Sequence, residues 1–189
     1  MQHTLSARER GELLEAIVTE GTDLTNIVND LLVAAKSGID RLEVSSVRVD
    51  LRAQAAQVLE SFESTGVGNI ELVGDSVGAV GDPDRVRQIV RNLISNALRY
   101  GGNTIRVTVS DRGTVGTVAV HDDGAAIPEF DRDRIFEPYQ RAHDAPGLAD
   151  SLGLGLAISR QLARLMDGDL TYRHEGGESI FELSLPQFG

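Results

Sequence analysis

Residues 81–102, GDPDRVRQIVRNLISNALRYGG, contain the strongest structural signals in the chain. Asp82 and Pro83 are typical of a helix start, because Asp accepts hydrogen bonds from free backbone N–H groups and Pro fits the first helical turn. The two glycines that end the stretch indicate where the helix stops. The apolar residues recur every three or four positions: Val86, Ile89, Val90, Leu93, Ile94 and Ala97. The stretch therefore predicts a helix from Pro83 to about Tyr100 with one buried face.

Three polar residues of the same helix, Asn92, Asn96 and Arg99, fall within an arc of about 60° at 3.6 residues per turn. Asparagine is unfavourable inside a helix because its amide competes for backbone hydrogen bonds. The stripe is therefore either a solvent-exposed polar face or a binding surface. In the second case an asparagine oxygen would bind Mg²⁺ and the arginine would face phosphates, since magnesium takes few protein oxygens and shares the rest with phosphate and water.

The rest of the chain contains several predicted strands and three further helices. Strands are expected at 47–49, 69–73, 77–80, 104–110, 115–121, 170–174 and 179–185, and helices at 6–36, 51–62 and 154–166. The segments 104–121 and 170–185 are predicted hairpins, because a glycine-containing turn joins two alternating runs in each. Strands and helices are segregated more than alternated. This favours an α+β fold in which a mixed or mostly antiparallel sheet carries helices on one face.

Two further motifs combine glycines with groups that are able to bind a ligand. The segment Asp122-Asp-Gly-Ala-Ala-Ile-Pro128 follows a strand that is expected to end at His121. It is either a simple turn or a place where a buried carboxylate accepts a hydrogen bond from an amine such as that of a purine. Ser151-Leu-Gly-Leu-Gly-Leu156 leads into a predicted helix, where backbone N–H groups can approach phosphates. It does not follow a strand and lacks Gly-Lys-Ser/Thr, so it is neither a Rossmann nor a P-loop motif.

The composition excludes several other kinds of site. The 189 residues include 18 Lys+Arg and 29 Asp+Glu, and the formal net charge of −11 disfavours binding to nucleic acid or direct contact with an anionic membrane. The chain has no cysteine, so it has no disulfide, thiol nucleophile or Cys-ligated metal centre. It shows no signal peptide and no apolar run of about 18 residues. We expect it in the cytoplasm, whether or not a parent protein is anchored in a membrane.

The order of the motifs resembles that of sensor histidine kinases. Asn92-Leu-Ile-Ser-Asn-Ala-Leu-Arg-Tyr100 is similar to their N box, Asp122-x-Gly124 to their G1 box, Arg134-Ile-Phe-Glu-Pro138 to their F box and Gly153-Leu-Gly-Leu156 to their G2 box. The resemblance extends over about residues 44–186. It implies the Bergerat ATP-binding fold, a two-layer α/β sandwich shared with gyrase, MutL and heat-shock chaperone ATPases. It also implies that ATP and Mg²⁺ are the bound cofactors.

The resemblance implies a catalytic set of three residues. Asn96 would be the Mg²⁺ ligand, Asn92 would lie beside it, and Arg99 would face the phosphates. Hydrolysing members of the superfamily have a glutamate where Asn92 stands, and an amide cannot act as a general base. Slow hydrolysis and phosphoryl transfer to a protein acceptor are therefore implied.

The resemblance also implies the wall of a nucleotide pocket. Tyr100 would line this pocket and Asp122 would bind the adenine amine. The other nucleotide-contacting residues would be Gly124, Ala126, Ile127, Phe136, Gly153, Leu154, Gly155 and Leu156. The segment 129–152 would form a lid over ATP, with Phe136 as its hydrophobic anchor.

Two positions depart from the family pattern. Ala126 stands where the second glycine of the G1 box is usual, and Ser151 stands where the first glycine of the G2 box is usual. If position 126 requires a positive φ, alanine there costs on the order of 1 kcal/mol. Weaker nucleotide binding would follow.

The N-terminal helix, from Ser6 to about Lys36, has one apolar stripe and resembles the second helix of the kinase dimerisation hairpin. We therefore expect residues 1–43 to belong to a dimerisation and phosphotransfer region and residues 44–189 to be the catalytic domain. None of the four histidines has the acceptor pattern of the family: His3, His121, His143 and His174. The expectation is that the acceptor helix lies upstream of Met1 and that this chain does not autophosphorylate alone.

The family resemblance implies the partners as well. These are ATP or ADP, a response regulator that receives the phosphoryl group, and a second copy that binds through the helical hairpin of the full-length protein. Two alternatives stay open. One is an anti-sigma-type serine kinase of the same fold, and the other is a non-catalytic nucleotide-binding module.

Overall fold

The computed structural model describes residues 44–63, 70–140 and 153–188 of the chain. These residues all belong to one structural unit. The predicted N-terminal helix lies outside them, and so does the second half of the predicted lid. The structure therefore does not test the predictions for the N-terminal helix and for the second half of the lid.

The first elements in chain order are β1 (Val47–Asp50), α1 (Leu51–Glu63), β2 (Glu71–Val73) and β3 (Gly78–Gly81). Strands β1 and β3 pair in an antiparallel two-stranded sheet. Asp50 caps α1, since its Oδ1 accepts a hydrogen bond from the N–H of Ala53 at 3.0 Å. Strand β2 is shorter than the sequence predicts.

Helix α2 (Pro83–Tyr100) has the start, the end and the buried face that the sequence predicts. Asp82 is its N-cap and accepts hydrogen bonds from the N–H groups of Asp84 and Arg85, at 2.9 and 3.2 Å. The six residues of the predicted apolar face are all buried. The helix stops at Gly101, whose N–H donates to the carbonyl oxygen of Ala97. The local signals of this stretch are therefore confirmed.

The main sheet has five strands in the order β2-β4-β5-β7-β6. Its remaining strands are β4 (Ile105–Asp111), β5 (Val115–Asp122), β6 (Asp169–Glu175) and β7 (Glu178–Pro186). Strand β2 pairs parallel with β4, and the other pairs are antiparallel. Both predicted hairpins are present, and the sheet is mixed.

The two faces of this sheet differ in polarity. Residues that lie directly opposite on neighbouring strands point to the same face. One row is formed by Val107, Val120 and Phe181, which are buried. The adjacent row begins with Arg106 and His121 and faces the other way. The helices pack over the apolar rows, because α1 and α2 contact β5 while α3 contacts β6 and β7. The predicted α+β arrangement with helices on one face is confirmed.

The segment between β5 and β6 contains two 3₁₀ turns, Glu129–Asp131 and Arg134–Phe136, and then helix α3 (Gly155–Leu165). The second turn lies in the segment that resembles the F box. Helix α2 contacts both α1 and α3. Within the described ranges, no helix has both the length and the apolar composition that a membrane crossing requires.

Strand β5 is longer than predicted, because it ends at Asp122 and not at His121. Asp122 pairs with Ile105 on β4 and with Ser179 on β7. Side chains alternate along a strand, so Asp122 shares a face with Val120. Its carboxylate therefore lies on the helix-covered side of the sheet.

Candidate functional site

Residues of the predicted N box and G2 box meet where α2 contacts α3. The side-chain amide of Asn92 donates from Nδ2 to Oγ of Ser159 at 2.9 Å. Its Oδ1 lies against Gly155, where an added Cβ atom would come within 2.5 Å of that oxygen. Asn92 and Ser159 are 67 positions apart in the sequence. Helix packing alone therefore brings these groups together.

The N-terminal end of α3 is suited to an anion. A side chain at position 155 would collide with the Asn92 amide, so the close approach of the two helices requires glycine there. Leu154 is the N-cap residue and makes no side-chain cap hydrogen bond. The first N–H groups of the helix, on Gly155 and Leu156, therefore have no N-cap side chain as their acceptor. Together with the helix dipole they form an electropositive end where a phosphate group can bind.

Asn96 and Arg99 lie on the same face of α2 as Asn92, one and two turns closer to its C-terminal end. All three side chains are partly buried. Tyr100, the last residue of the helix, is 48% exposed. The stripe is therefore not a simple solvated face, since it begins at a packed contact with α3.

Asp122 lies beside the C-terminal end of α2. It is 5% exposed, and its Oδ1 accepts a hydrogen bond from the N–H of Gly124 at 2.9 Å. Gly101 packs against it closely enough that an added Cβ would lie 2.9 Å from the Cβ of Asp122. Burial raises the pKa of the Asp122 carboxyl, while the Gly124 hydrogen bond opposes that shift. A buried carboxylate of this kind is suited to accept a hydrogen bond from an amine.

Ala126 carries no backbone strain. Among the non-glycine residues that the structure describes, Tyr139 and Asp167 have a positive φ and Ala126 does not. The alanine in the G1 box therefore does not incur the strain that a left-handed conformation would impose. The next residue, Ile127, donates its N–H to Oη of Tyr172 at 2.9 Å, which ties this turn to β6. Ser151, the other departure, lies outside the described residues.

A residue that the sequence did not single out, Ser179, lies opposite Asp122, and a second, Tyr172, contacts Ser179. Ser179 is directly opposite Asp122 in the register of β5 and β7, and it is 3% exposed. Its Oγ lies 3.2 Å from Oη of Tyr172. Neither residue carried a recognisable signal, because only strand register places Ser179 opposite Asp122.

Phe136 of the predicted F box packs on α3 away from Asn92. The guanidinium carbon of Arg160 lies 4.6 Å from the Phe136 ring centroid, and Arg160 also pairs with Asp169 at 3.0 Å. An open cavity of about 260 Å³ is lined by Phe136, Ala157, Arg160, Gln161, Arg164 and Leu165. These α3 residues lie on the helix face opposite Gly155 and Ser159. The structure therefore does not bring Phe136 to the contact between α2 and α3.

Gly153 follows the predicted lid in the sequence and lies close to Gln140, the last lid residue that the structure describes. It has a φ of +65°, and an added Cβ would come within 2.8 Å of the carbonyl oxygen of Gln140. Both the backbone conformation and the available space therefore favour glycine here. The predicted lid residues 141–152 lie outside the described ranges.

Comparison with known proteins identifies the family. Residues 81–188 match the family described as histidine kinase-, DNA gyrase B-, and HSP90-like ATPase. Aerobic respiration control sensor protein ArcB of Escherichia coli (strain K12) is 33% identical over an alignment 189 residues long that covers 94% of this chain. Sensor histidine kinase YkoH of Bacillus subtilis (strain 168) is 31% identical over an alignment 170 residues long that covers 88% of this chain. The chain covers 24% of the first relative's length and 37% of the second's.

Solved structures are similar over most of the chain. Acinetobacter baumannii histidine kinase AdeS has a TM-score of 0.69 at 21% identity, covering 99% of this chain and 88% of that one, and this likeness concerns the fold. Full-length ShkA in complex with AMPPNP has a TM-score of 0.71 at 27% identity, covering 97% of this chain and 40% of that one. The family match covers more than half of the chain. The chain therefore belongs to the family of histidine kinase-, DNA gyrase B- and HSP90-like ATPases, and it contains the ATP-binding catalytic domain of the sensor histidine kinases.

Proposed function

We propose that the chain binds Mg·ATP and transfers the γ-phosphoryl group to a histidine on a partner helix, for signalling to a response regulator. The observation that supports this most strongly is the contact between Asn92 and Gly155. It places a polar amide of α2 beside the N-terminal end of α3, and helix N-termini bind phosphate groups. A local site of this kind works in an acidic chain, because backbone N–H groups hold the anion without a basic surface.

Asn96 is the proposed Mg²⁺ ligand. It lies one turn from Asn92 on α2, and amide oxygens belong to the donor type that Mg²⁺ prefers. The described residues contain no cluster of three or more His, Cys, Asp or Glu side chains that would hold a metal. This fits a cation that is shared between few protein oxygens and phosphate. The bound ion would neutralise charge on the phosphate oxygens, and Arg99 would supply a further positive charge.

Asp122 is the proposed acceptor for the adenine amine. Its position between Gly124 and the end of α2 leaves it buried and held by a backbone N–H group. Ser179 lies opposite it on β7, and the Ser179 hydroxyl is within hydrogen-bond distance of Tyr172 Oη. We propose that the other pocket residues named by the family resemblance, apart from Phe136, surround the nucleotide around this carboxylate.

Transfer is proposed in place of rapid hydrolysis because Asn92 stands where a hydrolase needs a base. Its Nδ2 already donates to Ser159, and an amide does not take a proton from water. In the transfer, an imidazole nitrogen attacks the γ-phosphorus, the bond to the bridging oxygen of the β-phosphate breaks, and ADP leaves. The imidazole releases its proton to solvent. Such a step depends mainly on positioning and charge stabilisation.

His121, which the structure describes in full, is a poor phosphoryl acceptor. Both ring nitrogens of His121 are engaged, Nε2 with Thr108 Oγ1 at 3.0 Å and Nδ1 with Glu178 Oε2 at 3.2 Å. Its side chain is 11% exposed. Nδ1 of His174 lies 3.4 Å from Ser179 Oγ. We therefore propose that the acceptor belongs to a dimerisation hairpin.

The printed names of the relatives support the proposed kinase activity. ArcB is named a sensor protein, YkoH is named a sensor histidine kinase, and the ShkA structure contains the ATP analogue AMPPNP. We propose that residues 1–43 belong to a dimerisation hairpin and residues 44–189 form the catalytic domain. Homodimerisation through that hairpin and a response regulator as the downstream partner follow from the same proposal.

Titration calorimetry with Mg·ADP and Mg·AMPPNP tests nucleotide binding. We expect saturable binding to the wild-type chain and loss of the Mg²⁺-dependent part in Asn96→Ala. Asn103→Ala is the matched control, because Asn103 is an exposed asparagine outside the α2 stripe. Absence of both heat and a thermal shift at millimolar nucleotide would contradict the proposal. An unchanged dissociation constant in Asn96→Ala would refute the metal assignment.

Labelling with γ-labelled ATP tests the acceptor. The chain is incubated alone and with a dimerisation hairpin from a sensor histidine kinase. We expect an acid-labile label on the hairpin, because the phosphorus–nitrogen bond of phosphohistidine breaks in acid. An acid-stable label on a partner's serine would favour the anti-sigma-type kinase. An acid-labile label on the chain alone would overturn the assignment of the acceptor to a partner helix.

A further inference from the structure

Ser159 is a buried polar residue on a helix face that is otherwise apolar. The other buried residues of α3 are Ile158, Leu162 and Ala163, and Ser159 is 2% exposed. A hydroxyl in such a place costs free energy unless it has a hydrogen-bond partner. Here the Asn92 amide provides that partner, so a residue of the candidate site satisfies the serine.

The amide of Asn92 spans one turn of α3. Gly155 and Ser159 are four positions apart and therefore lie on the same face of that helix. Nδ2 of Asn92 points to Ser159 Oγ, while Oδ1 lies against Gly155. The oxygen is thus directed to the N-terminal end of α3. The positive end of the helix dipole favours the same orientation.

We propose that Ser159 is a positioning residue of the nucleotide site. By accepting the hydrogen bond from Asn92 Nδ2, it holds Asn92 Oδ1 on the side of the polar stripe where Mg²⁺ and the phosphates bind. Ser159 does not touch the nucleotide itself. It couples α2 to the helix that follows the predicted lid. This inference rests on the proposed function.

The dissociation constant of ADP, measured with Mg²⁺ and again in EDTA, tests the inference. In Ser159→Ala we expect the constant with Mg²⁺ to rise about threefold to tenfold, which is the range for loss of one neutral hydrogen bond. The constant in EDTA should stay unchanged, because the oxygen that Ser159 positions serves the metal side of the site. A purely structural role would change both constants in parallel or neither of them.

Two further variants separate the hydroxyl from side-chain size. Ser159→Thr keeps the hydroxyl and should retain Mg²⁺-dependent binding, whereas Ser159→Val has nearly the same size and should lose it. Thr117→Val is the matched control, because Thr117 is 2% exposed and its hydroxyl donates to the carbonyl oxygen of Ser110. It removes a buried hydroxyl on β5 and should leave both constants unchanged.

A double-mutant cycle tests whether Ser159 acts through Asn92. Asn92→Ala and Asn92→Ala combined with Ser159→Ala should weaken Mg²⁺-dependent binding by the same factor, since the serine then has nothing to position. If the double variant weakens Mg²⁺-dependent binding by the product of the factors of the two single variants, the inference is wrong.

The outcomes distinguish this inference from the proposed function. If the wild type binds ADP and Ser159→Ala keeps the full Mg²⁺ effect, the inference is wrong and the proposed function stands. The inference is also wrong, and the proposed function stands, if Ser159→Thr and Ser159→Val have the same Mg²⁺-dependent affinity for ADP. If the wild type binds no nucleotide, the proposed function fails and the inference fails with it.

Discussion

The backbone N–H of Tyr139 donates a hydrogen bond to the carbonyl oxygen of Gly153 at 3.0 Å. The two residues lie on either side of segment 141–152 of the predicted lid. Both have a positive φ, 63° for Tyr139 and 65° for Gly153. This conformation is strained for an L residue and unstrained for glycine. Mutation of the glycine should therefore be costly.

Gly153→Ala should lower the free energy of unfolding by about 1–2 kcal/mol through the left-handed backbone alone. The variant should lose further stability through a steric collision, since the alanine Cβ would lie 2.8 Å from the carbonyl oxygen of Gln140. Gly113→Ala is the matched control, because Gly113 has a φ of +82° and nothing within 4 Å of its Cβ position. Urea unfolding measures both variants. Equal decreases in the free energy of unfolding for the two variants would show that the alanine at position 153 does not collide with Gln140.

Asp122→Asn should make the protein more stable at neutral pH while weakening ADP binding. Burial raises the pKa of Asp122 above 3.8, so its contribution to stability is fully present below that value and is lost as pH rises through the folded-state pKa. The asparagine side chain does not ionise, so the variant does not lose stability as the pH rises. It also replaces a charge-assisted acceptor by a neutral one, which binds an amine less strongly. Urea unfolding over a pH series and ADP titration measure the two effects.

Asp123→Asn is the control for that variant, because the neighbouring carboxyl shifts in the opposite direction. The hydrogen bond from the Thr104 N–H lowers the pKa of Asp123. Its contribution is therefore present above 3.8 and is lost as pH falls. We expect the two variants to change the pH dependence of stability with opposite signs. A change of the same sign in both would contradict the opposite directions of the two pKa shifts, of which the Asp122 shift has the Asp123 charge as a smaller cause after burial.

Asp82→Ala should lower the free energy of unfolding by about 1–2 kcal/mol, because it removes the N-cap of α2. It also removes the acceptor for the N–H and Oγ of Ser45, at 3.0 and 2.9 Å. Burial opposes ionisation of Asp82, but the hydrogen bonds from Ser45 and the first turn of α2 outweigh it and lower the pKa. The stabilisation should therefore be lost as pH falls below 3.8. Asp82→Asn, which keeps an acceptor oxygen, should lose less at neutral pH in urea unfolding.

His121 should be uncharged at neutral pH. Burial lowers its pKa below 6.5, the hydrogen bond with Glu178 opposes this, and the charges of Arg106 and Arg173 lower it further. Glu178→Gln should therefore lower the His121 pKa and Arg106→Gln should raise it, as followed by NMR titration of the ring. The neutral ring contributes stability above 6.5, and this contribution is lost as pH falls through the folded-state pKa. Shifts in one direction for both variants would refute this account.

Helix α2 shows how far local signals extend. Its cap, its end and its six buried residues could all be predicted, because each depends on neighbours within one or two turns. The end of β5 could not be predicted to the residue. Asp122 joins the strand because Ile105 and Ser179 pair with it from two sides, and strand pairing is not a local property.

The position of Ser159 carries a weak signal in the sequence. This serine stands three and four positions before Leu162 and Ala163, so the helical period places it on the buried side of α3. A polar residue at such a position requires a partner. Nothing in the pattern identified Asn92 as that partner, since the contact depends on how α2 and α3 pack.

By itself the sequence determined the elements, the buried face of α2 and the family, because caps, periodicity and motif order are properties of neighbouring residues or of chain order. Only the tertiary structure decided that Asn92 contacts Gly155 and Ser159 and that Ser179 lies opposite Asp122. It also decided that Phe136 packs on the far face of α3. These relationships depend on helix packing geometry and strand register, and no local pattern specifies either one.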